Sequence, residues 1–170
     1  MKLQTKALET LLEYSTYCKF QFTSEVVGAM HSFLTQHYTS LSLAHSQKLM
    51  EAIAMVISAI DSGNFATNLH QVIALPMQSL KSINDLSNRE DLLKGVSLLT
   101  SATKAVDDLP SFDLAPVLLP LFQDAWPSLC QILQGRHTDT GLVDACCDYL
   151  IRTARALKTE LTQHFTVIQQ

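Results

Sequence analysis

The chain has 170 residues, of which 47 % are hydrophobic and 16 % are charged, and its mean hydropathy is +0.14. This composition excludes an intrinsically disordered chain, which would be highly charged and poor in apolar residues. The net charge of −4 and the scattered Lys and Arg residues disfavour direct nucleic-acid binding, which needs clustered cations. Because no apolar stretch approaches the ~18 residues of a membrane span, we expect no membrane contact.

Apolar residues recur with the 3.6-residue period of amphipathic helices along nearly the whole chain. Ser24 is expected to cap the second helix, Asn88 and Asp91 resemble a capping box at the start of the fifth, and Gly135 is expected to stop the sixth. The period predicts eight helices, at residues 2–18, 24–38, 43–61, 64–86, 88–106, 114–133, 139–157 and 159–168.

Prolines lie inside two of these expected helices. Pro76 is expected to kink the fourth helix, because an internal proline removes a backbone hydrogen bond. Pro120 and Pro127 are expected to bend or interrupt the sixth helix for the same reason. A short acidic loop at 107–113 separates the fifth helix from the sixth.

The helices fall into pairs whose first members start near Lys2, Leu43, Asn88 and Asp139. Helix pairs that recur at roughly 40–47 residues are typical of HEAT and armadillo repeats. The sequence therefore predicts an all-α fold, an α-α superhelix (a HEAT/ARM-like solenoid) of about four helical hairpins. We expect residues 1–170 to be one segment of a longer solenoid, with approximate repeats at 2–38, 43–86, 88–134 and 139–168.

Motifs that would indicate catalysis are missing from the sequence. There is no HExxH, P-loop, GxGxxG or GxSxG pattern, so we expect no enzyme activity, no metal site and no cofactor. Two weaker readings stay open: a thiol dyad of Cys146 with His137, and a calcium site in the loop at 107–113. Trp126 shares a helix face with Phe122, which favours a core position over a binding hot spot.

The polar side of the second helix in each pair is the expected contact surface, since a solenoid binds other macromolecules along its helices. A generic solvated side is the alternative reading of the same residues. The candidate partner-binding residues are Asn68, Gln71, Gln78, Lys81 and Asp85 on the fourth helix and Gln123, Asp124 and Gln131 on the sixth.

Several stretches resemble a known family. They are ALETLLEYSTYCKFQF at 7–22, KLMEAIAMVISAI at 48–60, NLHQVIALPMQSLKSI at 68–83, FQDAWPSLCQIL at 122–133 and LVDACCDYLIRTARAL at 142–157. In this order they resemble middle-to-late HEAT repeats of the importin-β (karyopherin) superfamily, in the importin-13 and transportin-3 (transportin-SR, Mtr10-like) branch. The resemblance implies Ran-dependent nucleocytoplasmic transport and binding of a protein cargo. It also implies Ran-GTP binding through the full-length receptor and shuttling between cytoplasm and nucleus.

The chain departs from that family in extent, because family members carry many more repeats than the four expected here. No Arg-rich helix is visible, and the loop at 107–113 is shorter and less acidic than the acidic loop of some importins. No individual Ran-binding or cargo-binding residue is therefore transferred from the family. A HEAT-repeat scaffold or adaptor unrelated to transport is the alternative function, and an independent helical bundle or enzyme is the third.

Overall fold

The computed structural model describes residues 2–60, 64–81, 88–107 and 114–157. This part of the chain contains helices and no strand, so the expected all-α class is confirmed. A short 3-10 helix over Lys19–Gln21 follows the first α-helix. The seven α-helices are α1 (Lys2–Cys18), α2 (Ser24–Gln36), α3 (Leu43–Ile60), α4 (Phe65–Lys81), α5 (Arg89–Asp107), α6 (Ala115–Gly135) and α7 (Thr140–Leu157).

Side-chain caps explain where α5 and α7 begin. Asn88 Oδ1 accepts a hydrogen bond from the Asp91 N–H at 3.4 Å, and Asn88 Nδ2 donates to the Asp91 carboxylate, which confirms the predicted capping arrangement. Asp139 Oδ1 accepts a backbone N–H of the first turn of α7 at 3.2 Å. The prediction for α2 is wrong by one residue, since Ser24 is already helical and Thr23 is the N-cap.

Pro120 and Pro127 are expected to bend or interrupt the sixth helix, and the interruption does not occur. α6 runs without a break through Pro120 and Pro127 and includes Gly135, with Arg136 as its C-cap. Both prolines lie on the exposed side of the helix, so the carbonyl groups that lose their helical partners are not enclosed by the core. Packing of the opposite side outweighs the local cost of the prolines. That side buries Leu118, Leu121, Phe122, Ala125, Leu129 and Ile132.

The helices pack in two layers that follow chain order. α1 packs against α3, α3 against α5, and α5 against α7, so the odd-numbered helices form one layer. The even-numbered helices cover it, and α4 contacts α3, α5 and α6. Within the described residues, the consecutive helices in closest contact are α2 with α3, α4 with α5, and α6 with α7. The described residues thus form three hairpins where about four are expected for the whole chain, with α1 packed beside α3.

One hydrophobic core lies between the two layers. Each Leu, Ile or Phe that is fully buried contributes ~1.5–3 kcal/mol relative to an exposed side chain. α3 is buried on more than one side, because it has neighbours in both layers. The largest fully buried side chains include Leu34, Leu49, Met50, Ile53, Phe65, Leu69, Leu80, Leu98, Leu129, Ile132 and Leu142.

Ion pairs bridge neighbouring helices of the same layer. All are at least partly exposed, so water screens them and each contributes little to stability. They nevertheless mark the stacking order, since each of the four pairs given below for the described residues joins helices that are two apart along the chain. The pairs are Glu9–Lys48 (α1–α3, 2.6 Å), Glu51–Lys104 (α3–α5, 2.8 Å), Arg89–Asp139 (α5–α7, 2.6 Å) and Lys81–Asp124 (α4–α6, 2.9 Å).

Lys94 on α5 holds the turn between α2 and α3. Its side chain is buried, and its Nζ donates hydrogen bonds to the carbonyl oxygens of Tyr38 and, at 2.7 Å, Leu41. The ammonium lies 4.8 Å from the centroid of the Tyr38 ring, and the Tyr38 hydroxyl accepts a hydrogen bond from Ser79 of α4 at 3.2 Å. This cluster ties α4, α5 and the α2–α3 turn together.

Three sequence predictions fall outside the described residues. They concern the eighth helix at 159–168, the candidate residue Asp85, and positions 108–113 of the acidic loop together with its proposed calcium site.

Candidate partner-binding surface

The exposed side of α4 is a polar stripe that follows the helical period. Gln71, Ala74, Gln78 and Lys81 are exposed at successive intervals of three or four residues. This exposure follows from the opposite side, where the apolar residues pack into the core. Those buried residues are Leu69, Val72, Ile73, Met77 and Leu80. Asn68 lies at the edge of the stripe and is half-buried.

The exposed side of α6 carries amides between prolines. Gln123, Asp124 and Gln131 are exposed, as are Pro120 and Pro127. Proline has no N–H to donate, so the glutamine side chains supply the flexible hydrogen-bonding groups of this stripe. The sequence-based candidate set does not include the prolines, because the sequence alone indicates only that an internal proline distorts a helix.

The two stripes meet at one ion pair. Lys81 Nζ lies 2.9 Å from Asp124 Oδ2, and both side chains are more than half exposed. The exposed stripes of α4 and α6 therefore adjoin at this pair, and we call the six predicted residues that they carry the amide surface. It consists of Gln71, Gln78, Lys81, Gln123, Asp124 and Gln131.

The amide surface is close to neutral. Its only charged members, Lys81 and Asp124, compensate each other, and the other four members are glutamines. A glutamine side chain both donates and accepts hydrogen bonds, as a peptide group does. Such a surface suits hydrogen bonding to polypeptide without strong selection for a charge.

The proposed thiol dyad does not have the environment that a nucleophile needs. Cys146 is fully buried, and burial, together with the neighbouring Cys147, raises the pKa of its thiol to about 11. His137 is exposed, and its Nδ1 lies 3.2 Å from the Gln134 carbonyl oxygen. The Cys146 thiol therefore stays protonated near neutral pH and behaves as a small apolar side chain.

Trp126 lies partly buried against the core. Its ring centroid is 5.4 Å from that of Phe122, at an interplanar angle of 41°. The sequence favours a core position for this residue, and its packing against the core agrees with that prediction.

The described residues contain no group of three or more His, Cys, Asp or Glu side chains placed to hold a metal ion. Among them, no helix is long and apolar enough to span a membrane.

Comparison of the chain with protein-family models, curated proteins and solved structures finds no match.

Proposed function

We propose that this chain is a protein-binding helical scaffold whose amide surface contacts partner proteins. The observation that carries the proposal is the Lys81–Asp124 ion pair, which joins the exposed stripes of α4 and α6 into one face. Buried cores beneath both stripes hold the two helices in place, so only the side chains of this face have to be ordered when a partner binds.

The finer architecture that we propose is an α-α superhelix of the HEAT kind. Serial packing of the odd-numbered helices supports it, as does the bridging of neighbouring helices by ion pairs such as Glu51–Lys104. In such an array each unit contacts mainly its neighbours, and the exposed helices form an extended binding face.

The specific role that we propose is cargo recognition within a nuclear transport receptor. The ordered resemblance of 7–22, 48–60, 68–83, 122–133 and 142–157 to karyopherin repeats supports this role. Its implied partners are a protein cargo and, through the full-length receptor, Ran-GTP. Its implied location is the cytoplasm and the nucleus.

Site-specific photo-crosslinking tests the binding surface. The photoreactive residue p-benzoylphenylalanine replaces Gln78 or Gln123 on the amide surface, or Asp144 on the exposed side of α7 as a matched control. After irradiation in cells, we expect protein adducts at positions 78 and 123 that mass spectrometry identifies reproducibly, and few at 144. Equal adduct patterns at all three positions would show that the amide surface is an ordinary solvated side.

The response of these crosslinks to Ran distinguishes a transport receptor from a scaffold with another role. When the photoreactive residue is placed at position 123 of the full-length receptor in permeabilised cells, added Ran loaded with a non-hydrolysable GTP analogue should change the adducts if the chain belongs to a transport receptor. Ran loaded with GDP is the control. Adducts that respond to neither form favour a HEAT-repeat adaptor unrelated to transport.

A further inference from the structure

A groove of about 350 Å³ lies between α2 and α4, with α3 beneath it. α2 lines one wall through Val27, Gly28 and His31, at the spacing of one helix face. Ile57 and Ile60 of α3 form the floor. The groove exists because α2 packs mainly on α3 and leaves a gap beside α4.

The α4 wall combines one apolar and two polar side chains. Val72 continues the apolar floor, and Asn68 and Gln71 stand above it one turn apart. In the described part of the chain the side chains of Asn68, Gln71 and His31 make no hydrogen bond to other residues. An apolar floor bordered by a few polar side chains is the usual composition of a binding site.

The lining of the groove carries no formal charge at neutral pH. None of its residues is Asp, Glu, Lys or Arg, and burial lowers the pKa of His31, which keeps its imidazole neutral. A charged group placed in the groove would lose hydration without meeting a counter-charge. The complementary occupant is therefore uncharged, apolar at its centre and able to pair with amides.

We propose that this groove, which we call the α2–α4 groove, binds a short extended segment of a partner protein through one uncharged apolar side chain. The side chain lies on Val27 and Ile57, and the backbone of the segment pairs with the side-chain amides of Asn68 and Gln71. An amide side chain presents both a donor and an acceptor, which matches the alternating N–H and C=O groups of an extended backbone. The inference deepens the proposed scaffold function and rests on it, since the occupant belongs to a partner protein.

Gly28 provides a variant that fills the groove without disturbing the free protein. A Cβ atom built at Gly28 meets no atom within 4 Å, and Gly28 lines the groove, so we expect the Gly28→Leu side chain to extend into the groove. Ala29→Leu is the matched control, because Ala29 is the next residue of α2, is exposed and does not line the groove. Both variants add one exposed leucine to the same helix.

The probes are three acetylated and amidated pentapeptides, Ser-Ala-X-Ala-Ser, with Leu, Asp or Lys at X. Titration into the isotope-labelled chain is followed by NMR. We expect the leucine probe to shift the side-chain amide signals of Asn68 and Gln71 in a saturable way. The Asp and Lys probes should bind about tenfold more weakly or worse, which corresponds to the loss of one good contact.

Variants connect the binding to the groove. Gly28→Leu should weaken the leucine probe by about tenfold or more, whereas Ala29→Leu should leave its Kd within about twofold of the parent value. Gln71→Ala, at an exposed position, should weaken the probe several-fold, about the loss of one hydrogen bond. The Gln71→Ala variant still tests the groove if Gly28→Leu folds poorly.

Four outcomes would overturn the proposal: equal affinities for all three probes, an unchanged Kd in Gly28→Leu and in Gln71→Ala, a probe that does not bind, or equal shifts caused by 3-methylbutan-1-ol. The last outcome would assign the groove to small apolar molecules. Crosslinks at position 123 without binding of the leucine probe would refute the groove proposal and leave the amide surface supported. Binding of the leucine probe without crosslinks at position 123 would refute the amide surface and leave the groove proposal supported.

Discussion

Replacing Gly95 and Gly28 by alanine, one at a time, measures how tightly α5 packs against α4. Both glycines lie inside helices, so replacement by alanine improves helix propensity at either site by ~1 kcal/mol. Their surroundings differ completely. A Cβ atom at Gly95 would lie 3.1 Å from Leu80 Cγ and 3.2 Å from the Pro76 carbonyl oxygen, whereas one at Gly28 meets nothing within 4 Å.

The contact at Gly95 is expected to outweigh the gain in propensity. Leu80 is fully buried, and the Pro76 carbonyl oxygen is backbone, so neither neighbour can move aside freely. Overpacking of this kind costs ~1–3 kcal/mol. We therefore expect Gly95→Ala to lower the free energy of unfolding by about 1 kcal/mol, and Gly28→Ala to raise it by up to ~1 kcal/mol.

Urea unfolding followed by circular dichroism at 222 nm measures both variants. Because the propensity gain is common to the two, the difference between their free energies of unfolding isolates the packing cost, which should be ~1–3 kcal/mol. In thermal unfolding, each 1 kcal/mol corresponds to ~2–4 °C for a domain of this size. A Gly95→Ala protein at least as stable as Gly28→Ala would refute the close approach of α4 and α5.

Three further outcomes follow from buried or paired groups. Lys94→Met leaves two carbonyl groups without their donor and should lower the free energy of unfolding in urea by ~1–3 kcal/mol. The Arg89 guanidinium holds the pKa of the Asp139 carboxyl below its ordinary value. The stabilisation from this pair is therefore present above about pH 4 and is lost as pH falls through the lowered pKa. Asp139→Asn should make the free energy of unfolding less dependent on pH in this acidic range, as measured by unfolding at a series of pH values. Iodoacetamide at pH 8 should label the exposed Cys147 well before the buried Cys146, by peptide mass mapping.

The positions of the helices were largely predictable because their causes are local. Apolar periodicity needs only neighbouring residues, and seven of the predicted helices have α-helical counterparts in the described residues. The caps at Asn88 and Asp139 use side chains within three residues of the N–H groups that they bond. The exposure of Gln71 and Gln123 follows from the same periodicity, since the apolar side of each helix faces the core.

The α2–α4 groove was not predictable in the same way. His31 and Asn68 belong to helices that are far apart along the chain, and no spacing rule connects them. The importance of Gly28 depends on the open space around it, which is a property of packing and not of the residue. The only sequence signal was that Asn68 and Gln71 lie at the polar edge of the fourth helix.

Sequence by itself determined the all-α class, the helix positions and the polar stripes of α4 and α6, because each depends on periodicity within one segment. The tertiary structure decided how those segments pair. It keeps α6 continuous through Pro120 and Pro127, because the packed side of that helix gains more than the prolines cost. It also brings Lys81 to Asp124 and opens the α2–α4 groove. These features depend on contacts between distant helices, which are fixed only when the shared core excludes water.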